Sequence, residues 1–156
     1  MRVEKDFKEL LELFNKHKVK YLIVGAFAVG VHAVPRYTKD MDVLVEPTSK
    51  NAQKVVNALK EFGFGSLQLS EADFAKEGSV VKLGYEPVRI DLITSITGLM
   101  FEAMWKSRIK VDYDGIMINI IGFDDLVESK RIANRRHDKM DLDILYKMKK
   151  SKKKSS

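Results

Sequence analysis

The stretch Thr38-Lys39-Asp40-Met41-Asp42-Val43-Leu44-Val45 decides how this chain is read. It sets two carboxylates one residue apart at the head of an apolar run. Residues i and i+2 of a strand share a face, so Asp40 and Asp42 stand side by side while Met41 and Val43 point into a core. Two like charges held about 7 Å apart by the strand repeat repel unless a cation sits between them. Hard divalent cations such as Mg2+ take such oxygen ligands, usually one or two carboxylates completed by substrate phosphates. The pair reads as half of a metal site.

Working outward, the flanking segments alternate between helical and strand patterns. Val3, Phe7, Leu10, Leu11 and Phe14 recur at helical spacing over residues 4–17. Tyr21-Leu22-Ile23-Val24 is a buried strand running into Gly25, and Ala26 to Val34 is a short helix of small residues stopped by Pro35. Met41 to Val45 is the second strand. Pro47-Thr48 opens a helix through about Phe62 that Gly63 ends. Ser70-Glu71-Ala72-Asp73 has the form of a capping box. Val80 to Leu83 and Val88 to Ile93 are strands separated by Gly84-Tyr85-Glu86-Pro87 in turn chemistry. A helix near Met100 to Lys106 follows, then a hairpin of Ile109 to Tyr113 and Ile116 to Ile121 around Asp114-Gly115. Asp124 is placed to cap a helix to about Ala133, and Asp138 to cap the last one. The expected fold is α/β or α+β, a mixed sheet flanked by helices.

The second site element lies in Val88-Arg89-Ile90-Asp91-Leu92-Ile93, where one acid interrupts an apolar strand. Arg89 and Asp91 share a face, and a carboxylate there needs a partner. Two readings stay open. Asp91 pairs with Arg89 on an exposed edge, or it is a third carboxylate beside Asp40 and Asp42. A trio of acids on adjacent strands can hold two Mg2+ ions, one for a triphosphate and one for an attacking hydroxyl, and its third acid can serve as general base.

Composition narrows the setting. A chain of 156 residues with 45% hydrophobic content is one domain with a real core. With no cysteine, thiolate metal sites, thiol nucleophiles and disulfides are excluded. The polar start Met1-Arg2-Val3-Glu4-Lys5-Asp6 is unlike a signal peptide, and the longest apolar stretch, Tyr21 to Val34, is too short to span a bilayer. A soluble, cytoplasmic protein without membrane contact is expected. The net charge of +6 is matched by six lysines within residues 147–156, so the body at 1–146 is balanced. We expect one domain over 1–146 and a disordered basic tail over 147–156, solubilising in the first instance and able to hold nucleic acid through phosphate contacts.

These residues together carry a resemblance. Gly25-Ala26, a thirteen-residue spacer, Asp40-Met41-Asp42-Val43 and the later Asp91 resemble the signature of the nucleotidyltransferase superfamily, which has the DNA polymerase beta-like fold. His32, Pro35-Arg36-Tyr37-Thr38, Thr94-Ser95-Ile96-Thr97-Gly98, Asp125 to Arg131, Arg135 and Asp138 follow in an order similar to the small AbiEii-type toxin-like nucleotidyltransferases. The resemblance runs from about Tyr21 to Leu145. It implies metal-dependent transfer of a nucleoside monophosphate from an NTP to an acceptor hydroxyl, on tRNA or other RNA, a protein or a small molecule. Mg2+ or Mn2+ would sit on Asp40, Asp42 and Asp91. It also implies a place in a toxin–antitoxin pair, with an antitoxin or other partner protein. The competing expectation is a nucleotidyltransferase-fold protein, weak or inactive, that binds without turnover.

Under that resemblance Gly25 and Ala26 hold the triphosphate at a helix N-terminus, where free N–H groups favour anions. Position 26 is Ala where the superfamily usually has Gly or Ser, so the backbone donors remain and a hydroxyl is lost. Lys130 and Arg135 match late basic positions that meet the triphosphate; read alone, they are equally well surface charge on a helix. Arg36 is close enough in sequence to contact a phosphate or to neutralise Asp40 and Asp42 without metal. His32 reads as a packed core histidine, Asp138 and Asp141 as helix N-terminal charges, and Phe101, Met104 and Trp105 as core. No Walker phosphate loop, G-x-S-x-G elbow, H-E-x-x-H helix, EF-hand or zinc cluster is present in the sequence.

Overall fold

A computed structural model describes residues 5–35, 39–64, 68–85 and 88–154. The elements in order are α1 (Lys5–Lys16), β1 (Tyr21–Val24), α2 (Gly25–His32), β2 (Asp40–Val45), α3 (Ser49–Leu59), β3 (Val80–Tyr85), β4 (Val88–Ile93), α4 (Phe101–Lys106), β5 (Ile109–Tyr113), β6 (Ile116–Ile120), α5 (Phe123–Ala133) and α6 (Arg136–Lys154). The strands form one six-stranded sheet in the order β3-β4-β2-β1-β6-β5. Its pairings mix both senses: β1–β2, β3–β4 and β5–β6 are antiparallel, while β2–β4 and β1–β6 are parallel. The mixed sheet with flanking helices agrees with the fold expected from the sequence.

Hydrophobic patterning accounts for the layers. On α1 the buried residues are Phe7, Leu10, Leu11 and Phe14, one stripe at helical spacing. All four residues of β1 are buried, as suits a central strand. On β2 the alternation is sharp at the start, with Met41 and Val43 fully buried between half-exposed Asp40 and Asp42. The hairpin β5–β6 turns through Asp114 and Gly115 at φ 53° and 93°, the paired positive values a two-residue turn of type I′ requires. The capping box at Ser70 and Asp73 forms as its residues suggest.

Helix α3 begins at Thr48, whose hydroxyl accepts the backbone N–H of Asn51 at 3.2 Å. Asn51 is itself buried and joins two strand ends. Its Oδ1 accepts the Lys20 N–H at 2.8 Å, and its Nδ2 donates to the carbonyls of Lys20 and Glu46 at 3.0 and 3.1 Å. The start of β1 and the end of β2 are thereby tied to α3, which steadies the strand carrying the acid pair.

Two helix starts differ from expectation. Helix α5 begins at Phe123 with Gly122 as its cap, so Asp124 lies within the first turn and acts on the helix dipole. Asp138 lies three residues after the Arg135 cap of α6 and reaches back to accept the Arg135 N–H at 3.1 Å, the returning half of a capping box. Helix α6 continues to Lys154, because lysine is a good helix former and an established helix propagates at little cost. Among the described residues no helix is long and apolar enough to cross a membrane.

Asn51→Ala would leave the Lys20 N–H without its acceptor inside the protein, and urea unfolding should show a loss of about 2–3 kcal/mol. A change within 0.5 kcal/mol of zero, about the size of a surface substitution, would show that Asn51 does not join these strands.

Candidate active site

The site forms where β1 gives way to α2. Gly25 makes that transition at φ 69°, a conformation that favours glycine. A Cβ there would collide with Asp42 Oδ2, so glycine is also needed for close approach. The N-terminus of α2 begins after Val24, with no side chain capping it. A helix start of this kind offers backbone N–H donors to an anion, and this one lies against the carboxylate of Asp42.

Sheet register assembles the acids. Val24 on β1 pairs with Asp42 on β2, and Asp42 pairs with Asp91 on parallel β4. Asp40 stands opposite Arg89 in the same ladder. All three carboxylates thus lie on two neighbouring strands, β2 and β4. The Arg89–Asp91 pair also forms, but on a strand lying between β3 and β2 and not on an exposed edge. Arg89 Nε lies 3.1 Å from Asp91 Oδ1, and its Nη2 lies 3.5 Å from Asp91 Oδ2 and 3.6 Å from Asp40 Oδ2. Burial pushes the Asp42 carboxyl above the ordinary aspartate range, repulsion from Asp91 and Asp40 adds to it, and Lys130 and Arg89 oppose it.

Lys130 and Arg135 reach the same place from α5 and the α5–α6 corner. With Gly25, Ala26, Asp42 and Asp141 they line a cavity of about 460 Å³, to which Met140 and Ile144 add apolar surface. A neighbouring cavity of about 160 Å³ shares Gly25, Asp42, Lys130 and Arg135. Lys130 is buried rather than surface charge: its Nζ sits 3.2 Å from Asp138 Oδ1 and 3.1 Å from Asp141 Oδ2. Arg135 is the exposed member, with Nε 2.6 Å from Asp138 Oδ2. Burial works to raise the Asp138 carboxyl, but hydrogen bonds from the Arg135 side chain and backbone and from Lys130 hold it down to about 2.

Of the residues singled out in the sequence, Gly25, Ala26, Asp40, Asp42, Asp91, Lys130 and Arg135 converge on this region, and Arg36 lies outside the described residues. His32 is packed as expected, with Nε2 2.7 Å from the Ile121 carbonyl and its ring against Phe123. Asp138 and Asp141 do more than favour a helix start, since they clamp a buried lysine. Their i, i+3 spacing places them on one face of α6, but only the α5–α6 packing shows what that face meets.

The carboxylates suit a hard cation completed by phosphate oxygens. Among the described residues no three His, Asp or Glu side chains form a group that could hold a metal ion by themselves. Arg89 reaches both Asp40 and Asp91 where such a group would close. The donor set fits a cation that arrives with phosphate ligands, not one held in an all-protein cage.

Residues 1–147 match the family described as "Nucleotidyltransferase of unknown function (DUF6036)". The chain belongs to that family. Its fold is shared with the lincomycin-bound lincosamide antibiotic adenylyltransferase LnuA at a TM-score of 0.61, with 17% identity over 94% of this chain and 98% of that one. A putative nucleotidyltransferase from Thermotoga maritima matches at TM-score 0.61 and 13% identity, covering 87% of each chain. The complex of ANT(2")-Ia with adenylyl-2"-tobramycin matches at TM-score 0.55 and 10% identity, over 89% of this chain and 84% of that one. No curated protein matches the sequence at a significant level. At identities this low, the structural match shows a common fold alone.

The raised Asp42 carboxyl carries a stability cost with a definite sign. The folded protein holds that proton more tightly than the unfolded chain. The stability this confers is full below the ordinary aspartate pKa of about 3.9 and is lost as pH rises through the raised value. In metal-free buffer at pH 7, Asp42→Asn should therefore melt at a higher temperature than the parent, and the advantage should vanish below about pH 4. A lower melting temperature at pH 7 would contradict the crowding of these carboxylates.

Proposed function

We propose that this protein transfers a nucleoside monophosphate from an NTP to an acceptor hydroxyl in a reaction that depends on Mg2+ or Mn2+. The observation that carries this reading is the seating of Gly25 against Asp42, with Asp91 opposite in register and Lys130 and Arg135 across a shared cavity. Asp40, Asp42 and Asp91 would hold the cation, which when bound supplies positive charge to the triphosphate and makes a nearby hydroxyl more acidic. The N-terminus of α2 at Gly25 and Ala26 would take phosphate oxygens, and Lys130 and Arg135 would neutralise the remaining charge. Asp91 would accept the acceptor's proton as its oxygen bonds to the α-phosphorus and the bond to pyrophosphate breaks. Positioning and fixed charge carry most of the rate in such a transfer.

The acceptor hydroxyl could belong to RNA, including tRNA, to a protein, or to a small molecule. LnuA and ANT(2")-Ia are bound to lincomycin and adenylyl-2"-tobramycin in their structures, which supports a small-molecule acceptor within this fold. The likeness of the sequence to AbiEii-type toxins supports a role in a toxin–antitoxin pair, with an antitoxin or other partner. An NTP donor and a cysteine-free chain both suit the cytoplasm.

A second reading is a binding protein without turnover. Arg89 bridging Asp40 and Asp91, together with the hydroxyl lost at Ala26, favours it. Incubation of each of the four α-labelled nucleotides with Mg2+, total cellular RNA, protein extract and a panel of hydroxylated small molecules separates the two. Transfer of label by the parent, reduced at least 100-fold in a folded Asp42→Asn variant, is the expected result. Equal labelling by the variant would sink the assignment. Nucleotide binding by calorimetry with no transfer to any acceptor would favour the second reading.

A further inference from the structure

Arg89 is the charged group of the site that neither the phosphate cradle nor the carboxylate trio accounts for. Strand alternation puts it on the same face as Asp91, and the parallel ladder sets Asp40 beside it. The guanidinium thus has an acid to either side, at 3.1 and 3.5 Å on Asp91 and 3.6 Å on Asp40. A locked bidentate guanidinium–carboxylate fork has N···O distances of about 2.7–2.9 Å. These three contacts are looser and shared between two acids, as suits a charge that neutralises both. Its side chain and that of Asp91 are largely shielded, at 28% and 13% exposure, so solvent screens their attraction only in part. Lys130 is engaged elsewhere, between Asp138 and Asp141.

We propose that Arg89 is a resident counter-ion, holding the Asp40–Asp91 edge until a divalent cation takes over those carboxylates, so that the cation binds well only in company with the triphosphate. The proposal rests on the metal–nucleotide reading above and adds to it a role for Arg89 in coupling cation to nucleotide. Arg89 sets its positive charge against Asp40 and Asp91, and so offsets part of the attraction these acids offer an incoming cation. Phosphate oxygens then supply the ligands and charge that the protein alone withholds. Arg89 must also swing away from Asp40 and Asp91 as they turn to the cation. Cation and nucleotide are thereby thermodynamically coupled, each raising the other's affinity by the same factor.

The test is Mn2+ binding, measured by electron paramagnetic resonance and by calorimetry, with and without an NTP analogue whose α,β-bridge is methylene. The parent should bind Mn2+ weakly alone and at least ten-fold more tightly with the analogue, a coupling of ordinary size. Arg89→Gln should bind Mn2+ alone about ten-fold more tightly than the parent, shrinking the coupling by the same factor. Arg89→Lys, which keeps the charge, should stay close to the parent. Arg89→Met keeps the apolar stem of the side chain and should repeat the glutamine result if that variant does not fold. Unchanged or weaker Mn2+ affinity in a folded Arg89→Gln or Arg89→Met protein overturns the proposal and makes Arg89 a strut that holds Asp91. If the parent binds no Mn2+ even with the analogue, the metal–nucleotide reading falls and this proposal with it. Normal coupling in the parent that persists in the variants removes the Arg89 role alone.

Discussion

Mutual repulsion of Asp40, Asp42 and Asp91 is the constraint around which this end of the molecule is arranged. The ladder between β2 and β4 sets Asp42 directly opposite Asp91, and alternation along β2 returns Asp40 to the same face. Such crowding is unfavourable to a fold and survives only where cations and a firm scaffold contain it. Arg89 supplies one cation from within the same strand pair, and Lys130 faces Asp42 from α5. Scaffold comes from buried Met41, Val43, Leu44 and Val45, whose side chains hold β2 in the core. Asn51 secures the far end of that strand.

A second acidic group is treated in the opposite way. Asp138 and Asp141 are buried around Lys130, and their charge is fully answered by hydrogen bonds and ion pairs. Burying charges costs several kcal/mol each unless good geometry offsets it, on the order of what a whole hydrophobic contact contributes. The cluster fixes Lys130 beside the cavity and adds little to stability. One acidic cluster holds the Lys130 ammonium in place, while in the other the repulsion of Asp91 and Asp40 on Asp42 outweighs the opposing Lys130 and Arg89.

Much of this was legible in the sequence because it is local. The alternation of Asp40, Met41, Asp42 and Val43 gives strand, face and acid pair together, and Gly25 after an apolar run marks the turn into α2. The Asp114-Gly115 hairpin follows from two residues able to take positive φ. Contacts between distant segments were not legible. Arg89 and Asp91 announce a shared face, but nothing local shows that β4 lies parallel to β2 and so brings Asp40 within reach of Arg89. Asp138 and Asp141 looked like helix-start charges until α5 brought Lys130 between them. The lysine-rich end looked disordered from composition, whereas an established helix carries it on to Lys154.

Family membership joins this chain to nucleotidyltransferases, and the proposed function requires the acid trio and the Gly25 turn to form one metal–nucleotide site. Paramagnetic broadening in an NMR titration tests it most directly, with trace Mn2+ added to isotope-labelled protein holding a non-hydrolysable NTP. Signals of Gly25, Ala26, Asp40, Asp42 and Asp91 should broaden first and together, since relaxation by the ion falls steeply with distance. Broadening centred elsewhere, on the Asp138–Asp141 cluster for example, or none beyond that seen without nucleotide, would contradict the account.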